Sequence, residues 1–365
     1  MEKIKVLIVD DSAFMRKLIQ DFLSNNPRIE IVGTARNGED ALKKIKVLKP
    51  NVVTMDVEMP VMDGLSAVKM IMKENPVPII MLSSTTNEGA ENTFIAIQSG
   101  AVDFIQKPSG AISLDLHKIK EELIEKVLSA SKANIVHLAT ANSDINLSIP
   151  VAKSYSKMES IKASIQKPKN NLSSQHAKKI ILIGTSTGGP RALQAVLTKL
   201  PANIDAPILI VQHMPPGFTK SLATRLDSLC SISVKEAEDG EVLRKGTAYI
   251  APGGYHFKAK LVGGNLLADL DQSPPKNGHR PSVDILFESV SKMTEFAKVA
   301  VIMTGMGADG SQGIIDLKTK GNVAAIAESQ NTSIVFGMPK AAISTKLVDE
   351  VQDLNHIAET IMKFV

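Results

Sequence analysis

A chain of 365 residues exceeds the roughly 100–200 of one domain, so two domains are expected. Its 44% hydrophobic and 22% charged residues support ordinary cores, while a net charge of +4, 4% aromatics and no tryptophan argue against a basic, stacking surface for nucleic acid. The single cysteine, Cys230, excludes an internal disulfide and a cysteine-rich metal site, and no apolar run approaches the ~18 residues of a membrane span.

The chain opens Met1-Glu2-Lys3-Ile4-Lys5 and runs straight into a short apolar stretch. It has neither the length nor the cleavage site of a signal peptide, so a cytoplasmic protein is expected. Lys5–Val9, Ile29–Thr34, Val52–Met55, Pro78–Leu82 and Val102–Ile105 read as strands, being short, rich in Val and Ile, and bounded by turn residues or charges. Amphipathic stretches alternate with them at Phe14–Leu23, Gly38–Leu48, Leu65–Lys73 and Leu116–Leu128. That alternation predicts a parallel sheet covered on both faces.

Ligands of such sheets bind beyond the carboxyl ends of the strands. There the first strand ends in Asp10-Asp11, the third in Asp56, the fourth in Ser83-Ser84 and the fifth in Lys107-Pro108. Carboxylates gathered at one edge repel one another unless a cation sits among them, and oxygen ligands favour a hard ion such as Mg²⁺. A lysine and a hydroxyl on the same rim suit a phosphoryl group carried by one aspartate.

From about Asn134 to His176 the periodicity fails, and Ser, Asn and Lys dominate. Such a stretch reads as a solvated linker, so the expected division is residues 1–130, a linker over 131–176, and residues 177–365. Alternation resumes with Ile180–Ile183, Ile208–Val211, Thr247–Ile250, Val299–Met303 and Val323–Ile326 as strands. Helices are expected at Arg191–Leu200 and Val283–Ser291, and a hairpin near Gly263-Gly264. The second half is therefore a doubly wound, mainly parallel α/β domain as well.

Three of its strands lead into chemistry-bearing turns. They are Gly184-Thr185-Ser186-Thr187-Gly188-Gly189-Pro190, Gln212-His213-Met214-Pro215-Pro216, and Thr304-Gly305-Met306-Gly307-Ala308-Asp309-Gly310. A serine needs a base to take its proton, and a carboxylate behind the imidazole fixes its tautomer. Ser186, His213 and Asp309 are the residue types for that task. The order Ser, His, Asp departs from the Ser, acid, His of α/β-hydrolases. The same glycine-rich turn is also a phosphate cradle in outline, although it lacks the lysine of a P-loop. Hydrolase and binding module both remain open on this reading.

Longer stretches carry two resemblances. Val9–Ser12 (V-D-D-S), Met55–Gly64 (M-D-V-E-M-P-V-M-D-G), the Ser pair after the fourth strand, and Lys107-Pro108 resemble response-regulator receiver domains. That likeness implies a flavodoxin-like (βα)5 fold in which Asp56 accepts a phosphoryl group from a histidine kinase. Asp10, Asp11, Asp56 and the backbone carbonyl of Glu58 would hold Mg²⁺, and Ser83 and Lys107 would contact the phosphoryl oxygens. Phe104 stands where that family places a switching aromatic. The stretches G-T-S-T-G-G-P, V-Q-H-M-P-P-G-F-T, I-A-P-G-G-Y-H, R-P-S-V-D-I-L-F-E-S-V, T-G-M-G-A-D-G and F-G-M-P-K-A-A resemble the catalytic domain of bacterial chemotaxis protein-glutamate methylesterases.

The second likeness implies Ser186 as nucleophile, His213 as general base and Asp309 as its orienting partner. Thr187, Gly188 and Met306 would lie in the supporting and oxyanion region, with His256 lining the site. The implied activity is hydrolysis of glutamate γ-methyl esters on chemoreceptors, with glutamine deamidation at the same sites, and no cofactor for the ester chemistry. The implied partners are chemoreceptors and a kinase; composition and hydropathy predict no nucleic acid and no membrane insertion, and nothing in the sequence demands more than a monomer. Tethering a receiver to an esterase whose substrate is a protein further suggests that the unphosphorylated receiver blocks the Ser186 rim. The rivals are a receiver joined to a catalytically silent binding module, an esterase serving another signalling array, and a nucleotide-binding second domain.

Overall fold

The computed structural model describes residues 2–84, 87–107, 116–135 and 178–365. Strands β1 (Ile4–Val9), β2 (Ile29–Ala35), β3 (Val52–Asp56), β4 (Ile79–Ser83) and β5 (Asp103–Gln106) form a parallel sheet in the order β2-β1-β3-β4-β5. Every residue of β3 and β4 is buried, as continuous apolar runs require when helices cover both faces. The helices are α1 (Ala13–Ser24), α2 (Gly38–Leu48), α3 (Gly64–Glu74), α4 (Asn87–Gln98) and α5 (Leu116–Ala130). Ser12, Asn37 and Asp63 start the first three, each side-chain oxygen accepting an amide N–H three residues on, at 3.3, 2.9 and 2.7 Å. Each such cap contributes about 1 kcal/mol.

The second sheet has seven parallel strands: β6 (Lys178–Thr185), β7 (Ile208–Gln212), β8 (Ser233–Glu236), β9 (Thr247–Ile250), β12 (Phe296–Ile302), β13 (Val323–Glu328) and β14 (Glu350–Gln352). Their order is β14-β13-β12-β6-β7-β9-β8. The antiparallel pair β10 (His256–Val262) and β11 (Asn265–Asp271) stands apart from it. Gly263 and Gly264 join that pair with φ of +57° and +81°, the double left-handed turn that two-residue hairpins favour. The helices here are α6 (Gly189–Leu197), α7 (Phe218–Asp227), α8 (Val283–Ser291), α9 (Ser311–Lys320), α10 (Met338–Ser344) and α11 (Leu354–Met362).

Three differences from the sequence expectation have a physical cause. Strands β8 and β14, which were not foreseen, sit at the two edges of the sheet and are short and polar, as exposed edges tend to be. Strand β12 begins three residues before Val299, because Lys298 is fully buried in it and its Nζ donates to the Met293 carbonyl at 2.7 Å. A charge in that position hides the strand from any hydrophobic reading.

The two sheets meet through α4, β5 and α5 of the first and α6 and α7 of the second. The Phe104 and Phe218 rings stack with centroids 4.5 Å apart. Gln98 Nε2 donates to Gln194 Oε1 at 3.0 Å, and Asn134 N–H donates to the Ile334 carbonyl at 3.1 Å. Ile334 and Val335 are buried in the same apolar cluster as Val127 and Ala130 of α5. Most of the expected linker, residues 136–176, lies outside the described residues, as do residue 177 and Pro108.

Candidate functional site

The first sheet gathers its acidic residues where the chain parts to either side of β1 and β3. Carboxylate oxygens of Asp10, Asp11 and Asp56 lie within 4.8 Å of one another. Lys107 Nζ stands 2.7 Å from Asp56 and 3.0 Å from Asp10. A cleft of about 510 Å³ opens over them, lined also by Glu58 and Ser84. An all-oxygen donor set of three carboxylates suits a hard divalent cation, so these residues fit Mg²⁺. Burial pushes Asp56 up to about 6, prevailing over its hydrogen bond from Lys107. At Lys107 the balance is reversed: burial pulls its pKa down, yet Asp56 and Asp10 together raise it. Ser83 is not brought to the cleft. Its hydroxyl is buried, donates to the Gly89 carbonyl at 3.0 Å and accepts from Thr93 Oγ1 at 2.7 Å, whereas Ser84 lines the cleft.

In the second sheet, Ser186, His213 and Asp309 follow β6, β7 and β12, three adjacent strands. The register pairs Thr185 with Gln212, so Ser186 and His213 are the next residues on neighbouring strands. Gln212 ties the two ends together, accepting from Thr185 Oγ1 at 2.6 Å and donating to the Ser186 carbonyl at 3.0 Å. The Ser186 amide itself donates to the Thr304 carbonyl at 3.0 Å, which locks the serine to the third loop. Gly305 must lack a side chain there, because a Cβ would lie 2.8 Å from Ser186 Cβ and 2.4 Å from Met338 Sδ.

His213 Nε2 meets Asp309 Oδ2 at 2.8 Å, and His213 Nδ1 has no hydrogen-bond partner among the described residues. The nitrogen left for proton transfer is thus Nδ1. Asp309 also accepts from Val283 N–H at 2.7 Å, Ser282 Oγ at 2.9 Å, Asp284 N–H at 3.0 Å and Gly310 N–H at 3.1 Å. Burial alone would raise its pKa, but His213 and these donors hold the carboxyl well below the usual range. Asp284, on α8, accepts from Gly310 and Gly313 N–H at 2.9 and 2.7 Å and so caps α9 from outside. Burial and the Asp309 charge push Asp284 upward, so the two carboxyls are driven apart.

Three residues near this site, His279, Asp103 and Lys126, carried no signal in the sequence. The ring flat against His213 is His279, with centroids 3.9 Å apart and planes 12° apart. His256, expected to line the site, is fully buried with Nε2 on the Pro274 carbonyl at 3.2 Å. Thr187 Oγ1 donates to Asp103 Oδ2 of the first sheet at 2.5 Å. Lys126 of α5 reaches the same Asp103 at 3.2 Å and the Phe104 carbonyl at 2.5 Å. Burial pulls Lys126 down, but Asp103 and Glu122 prevail and push it up to about 12. The Met306 side chain packs against Ser129 of α5, and Gly188 begins α6. Only the folded chain brings these partners together, because each pair is far apart in sequence.

Comparison with known proteins gives concordant matches. The family profile described as CheB methylesterase matches residues 181–361, and that of the response regulator receiver domain matches residues 6–119. A protein-glutamate methylesterase/protein-glutamine glutaminase of Geobacillus kaustophilus is 56% identical over 365 residues, spanning 100% of this chain and 99% of its own. Its counterpart from Halalkalibacterium halodurans is 57% identical over 361 residues, spanning 99% and 98%. Among solved structures, the Thermotoga maritima CheB methylesterase catalytic domain matches with a TM-score of 0.50 and 46% identity, over 52% of this chain and 100% of that one.

Proposed function

The chain belongs to the protein-glutamate methylesterase/protein-glutamine glutaminase family, with a receiver domain ahead of the catalytic domain, and on that premise we propose that Ser186, His213 and Asp309 are its catalytic triad and Asp56 its phosphorylation site. The observation that carries the reading is the 2.8 Å contact between His213 and Asp309 on loops beside Ser186, at the carboxyl edge of the central strands. The proposed division is a receiver over residues 1–130, a linker over 131–176 and the catalytic domain over 177–365.

Ser186 Oγ attacks the γ-carbonyl of a glutamyl methyl ester while His213 Nδ1 takes its proton. Asp309 steadies the imidazolium through Nε2. Amides around Thr187, Gly188 and Met306 are the candidates to hold the oxyanion, since the Ser186 amide is already engaged with Thr304. Collapse releases methanol, which takes the proton from His213. Water then attacks the acyl-enzyme with His213 again as base, freeing the serine and leaving a glutamate carboxylate. With glutamine as substrate, ammonia leaves in place of methanol. The substrates are chemoreceptors and the phosphodonor is a histidine kinase, which places the protein in the cytoplasm. Among the described residues no helix is long and apolar enough to cross a membrane.

Asp10, Asp11 and Asp56, with the Glu58 backbone, would hold Mg²⁺, which supplies charge neutralisation for phosphoryl transfer to Asp56. Phosphorylation at Asp56 needs its carboxylate, so acceptance from a small phosphodonor is expected to fall as pH drops through about 6. Added Mg²⁺ favours the ionised form and moves that midpoint to lower pH. Labelling of Asp56 as a function of pH at two Mg²⁺ concentrations checks both. A flat profile down to pH ~4 sinks the idea.

The unphosphorylated receiver meets the serine loop through Asp103, which accepts from Thr187 and is itself held by Lys126, while Phe104 packs on Phe218, and phosphorylation would weaken that contact. Asp103→Ala removes the acceptor of Thr187 and the counter-charge of Lys126. It is expected to raise methanol release about tenfold without phosphodonor, the scale of one charged hydrogen bond. An unchanged basal rate would mean that these contacts do not restrain the enzyme.

A further inference from the structure

Serine–histidine–aspartate chemistry does not call for a second histidine, yet one lies flat on the catalytic base. The His279 ring is stacked on His213 with centroids 3.9 Å apart and planes within 12°. His279 sits in the segment between β11 and α8, where it exchanges two backbone hydrogen bonds with Lys276, each of 3.0 Å. Three residues later, the hydroxyl of Ser282 binds Asp309 at 2.9 Å, and Val283 N–H binds it at 2.7 Å. One short segment therefore sets both the acid of the triad and the ring against its base.

The charged groups facing His279 are His213, Asp309 and, from the receiver, Lys126. Burial pulls its pKa down, a charge on His213 adds to that, Asp309 opposes it, and Lys126 pulls down again, leaving it at about 4. His279 is thus neutral where a histidine base works. Neutrality matters here: two imidazolium rings at that separation would repel, whereas a neutral ring face attracts a cation.

We propose that His279 is a positioning residue for His213: its neutral ring holds the imidazole plane so that Nε2 stays on Asp309 and Nδ1 is free for the serine proton, and its π face steadies the imidazolium as it forms. The proposal rests on His213 being the catalytic base. A flat apolar ring should substitute for His279, and a branched aliphatic should not. Removing the π face disfavours the imidazolium, so the acid limb of the rate profile moves to lower pH.

The test is methanol release from methylated receptor membranes by the intact protein, treated with a small phosphodonor and Mg²⁺, across pH. His279→Leu is expected to lower kcat about tenfold at unchanged KM and to move the acid limb down by roughly half a pH unit. His279→Phe is expected to keep kcat within about twofold, because the stack survives. A leucine variant matching the parent in both rate and acid limb overturns the proposal. So does a phenylalanine variant as impaired as the leucine one while unfolding at the parent temperature. If the leucine variant does not fold, ring ¹⁵N spectra of the unaltered protein decide the matter. One neutral His279 tautomer retained down to pH ~5 supports the proposal, and titration at the ordinary 6.5 overturns it. A Ser186→Ala variant that kept its turnover would sink the triad reading instead, and would leave the spectra unaffected.

Discussion

Ser186→Ala is expected to lower methanol release from methylated receptor membranes by a factor on the order of 10⁴–10⁶, with KM little changed. The loss should be that large because the serine oxygen forms the covalent bond. The hydroxyls on either side, Thr185 and Thr187, already donate to Gln212 and Asp103 at 2.6 and 2.5 Å. The fold should be indifferent to the change: the Ser186 contacts that lock the loop use its amide and carbonyl, at 3.0 Å to Thr304 and 3.0 Å to Gln212. Thermal unfolding coincident with the parent separates lost chemistry from lost structure. Turnover within tenfold of the parent would return the second domain to a binding module.

Asp309→Asn should be nearly as damaging, lowering kcat by about 10⁴, because an amide next to Nε2 favours the wrong tautomer of the base. It should also cost stability, which Ser186→Ala does not. Asp309 is only 3% exposed, and its two oxygens accept from His213, Ser282, Val283, Asp284 and Gly310. An asparagine has one acceptor oxygen, so its NH₂ must face donors, and unsatisfied buried groups cost about 1–3 kcal/mol each. The sign with pH follows from the depressed carboxyl. Its contribution is fully present above the unfolded value near 3.8 and is lost as pH falls below it. Urea unfolding of parent and variant at neutral pH and near pH ~3 checks this, the gap between them narrowing in acid. An equal gap at both pH values would mean that the native carboxyl is not held low.

The difference between these two variants shows what could be read in the chain and what could not. The turns after β6, β7 and β12 were legible because a parallel sheet buries both faces. Its strands are then plain apolar runs, and the residues that end them stand out as the ones facing solvent at one edge. Asp10, Asp11 and Asp56 were legible for the same reason. That Ser83 turns toward Gly89 and Thr93 while Ser84 lines the cleft was not, because consecutive residues after a strand point to different sides according to how the next helix packs.

By itself, then, the sequence determined two α/β sheets, their order along the chain, and which residue types stand at their carboxyl edges. Local periodicity and turn chemistry are written within a few residues and need no distant partner. Only the tertiary structure decided that β12 lies beside β6, that Asp284 braces the loop of Asp309, and that His279 rather than His256 faces His213. It alone placed Asp103 of the receiver against Thr187 of the serine loop, and Phe104 against Phe218. Each of those contacts joins groups that the chain separates widely. Which of them meet depends on helix packing and strand order, quantities set by the burial of the whole core rather than by any short stretch of sequence.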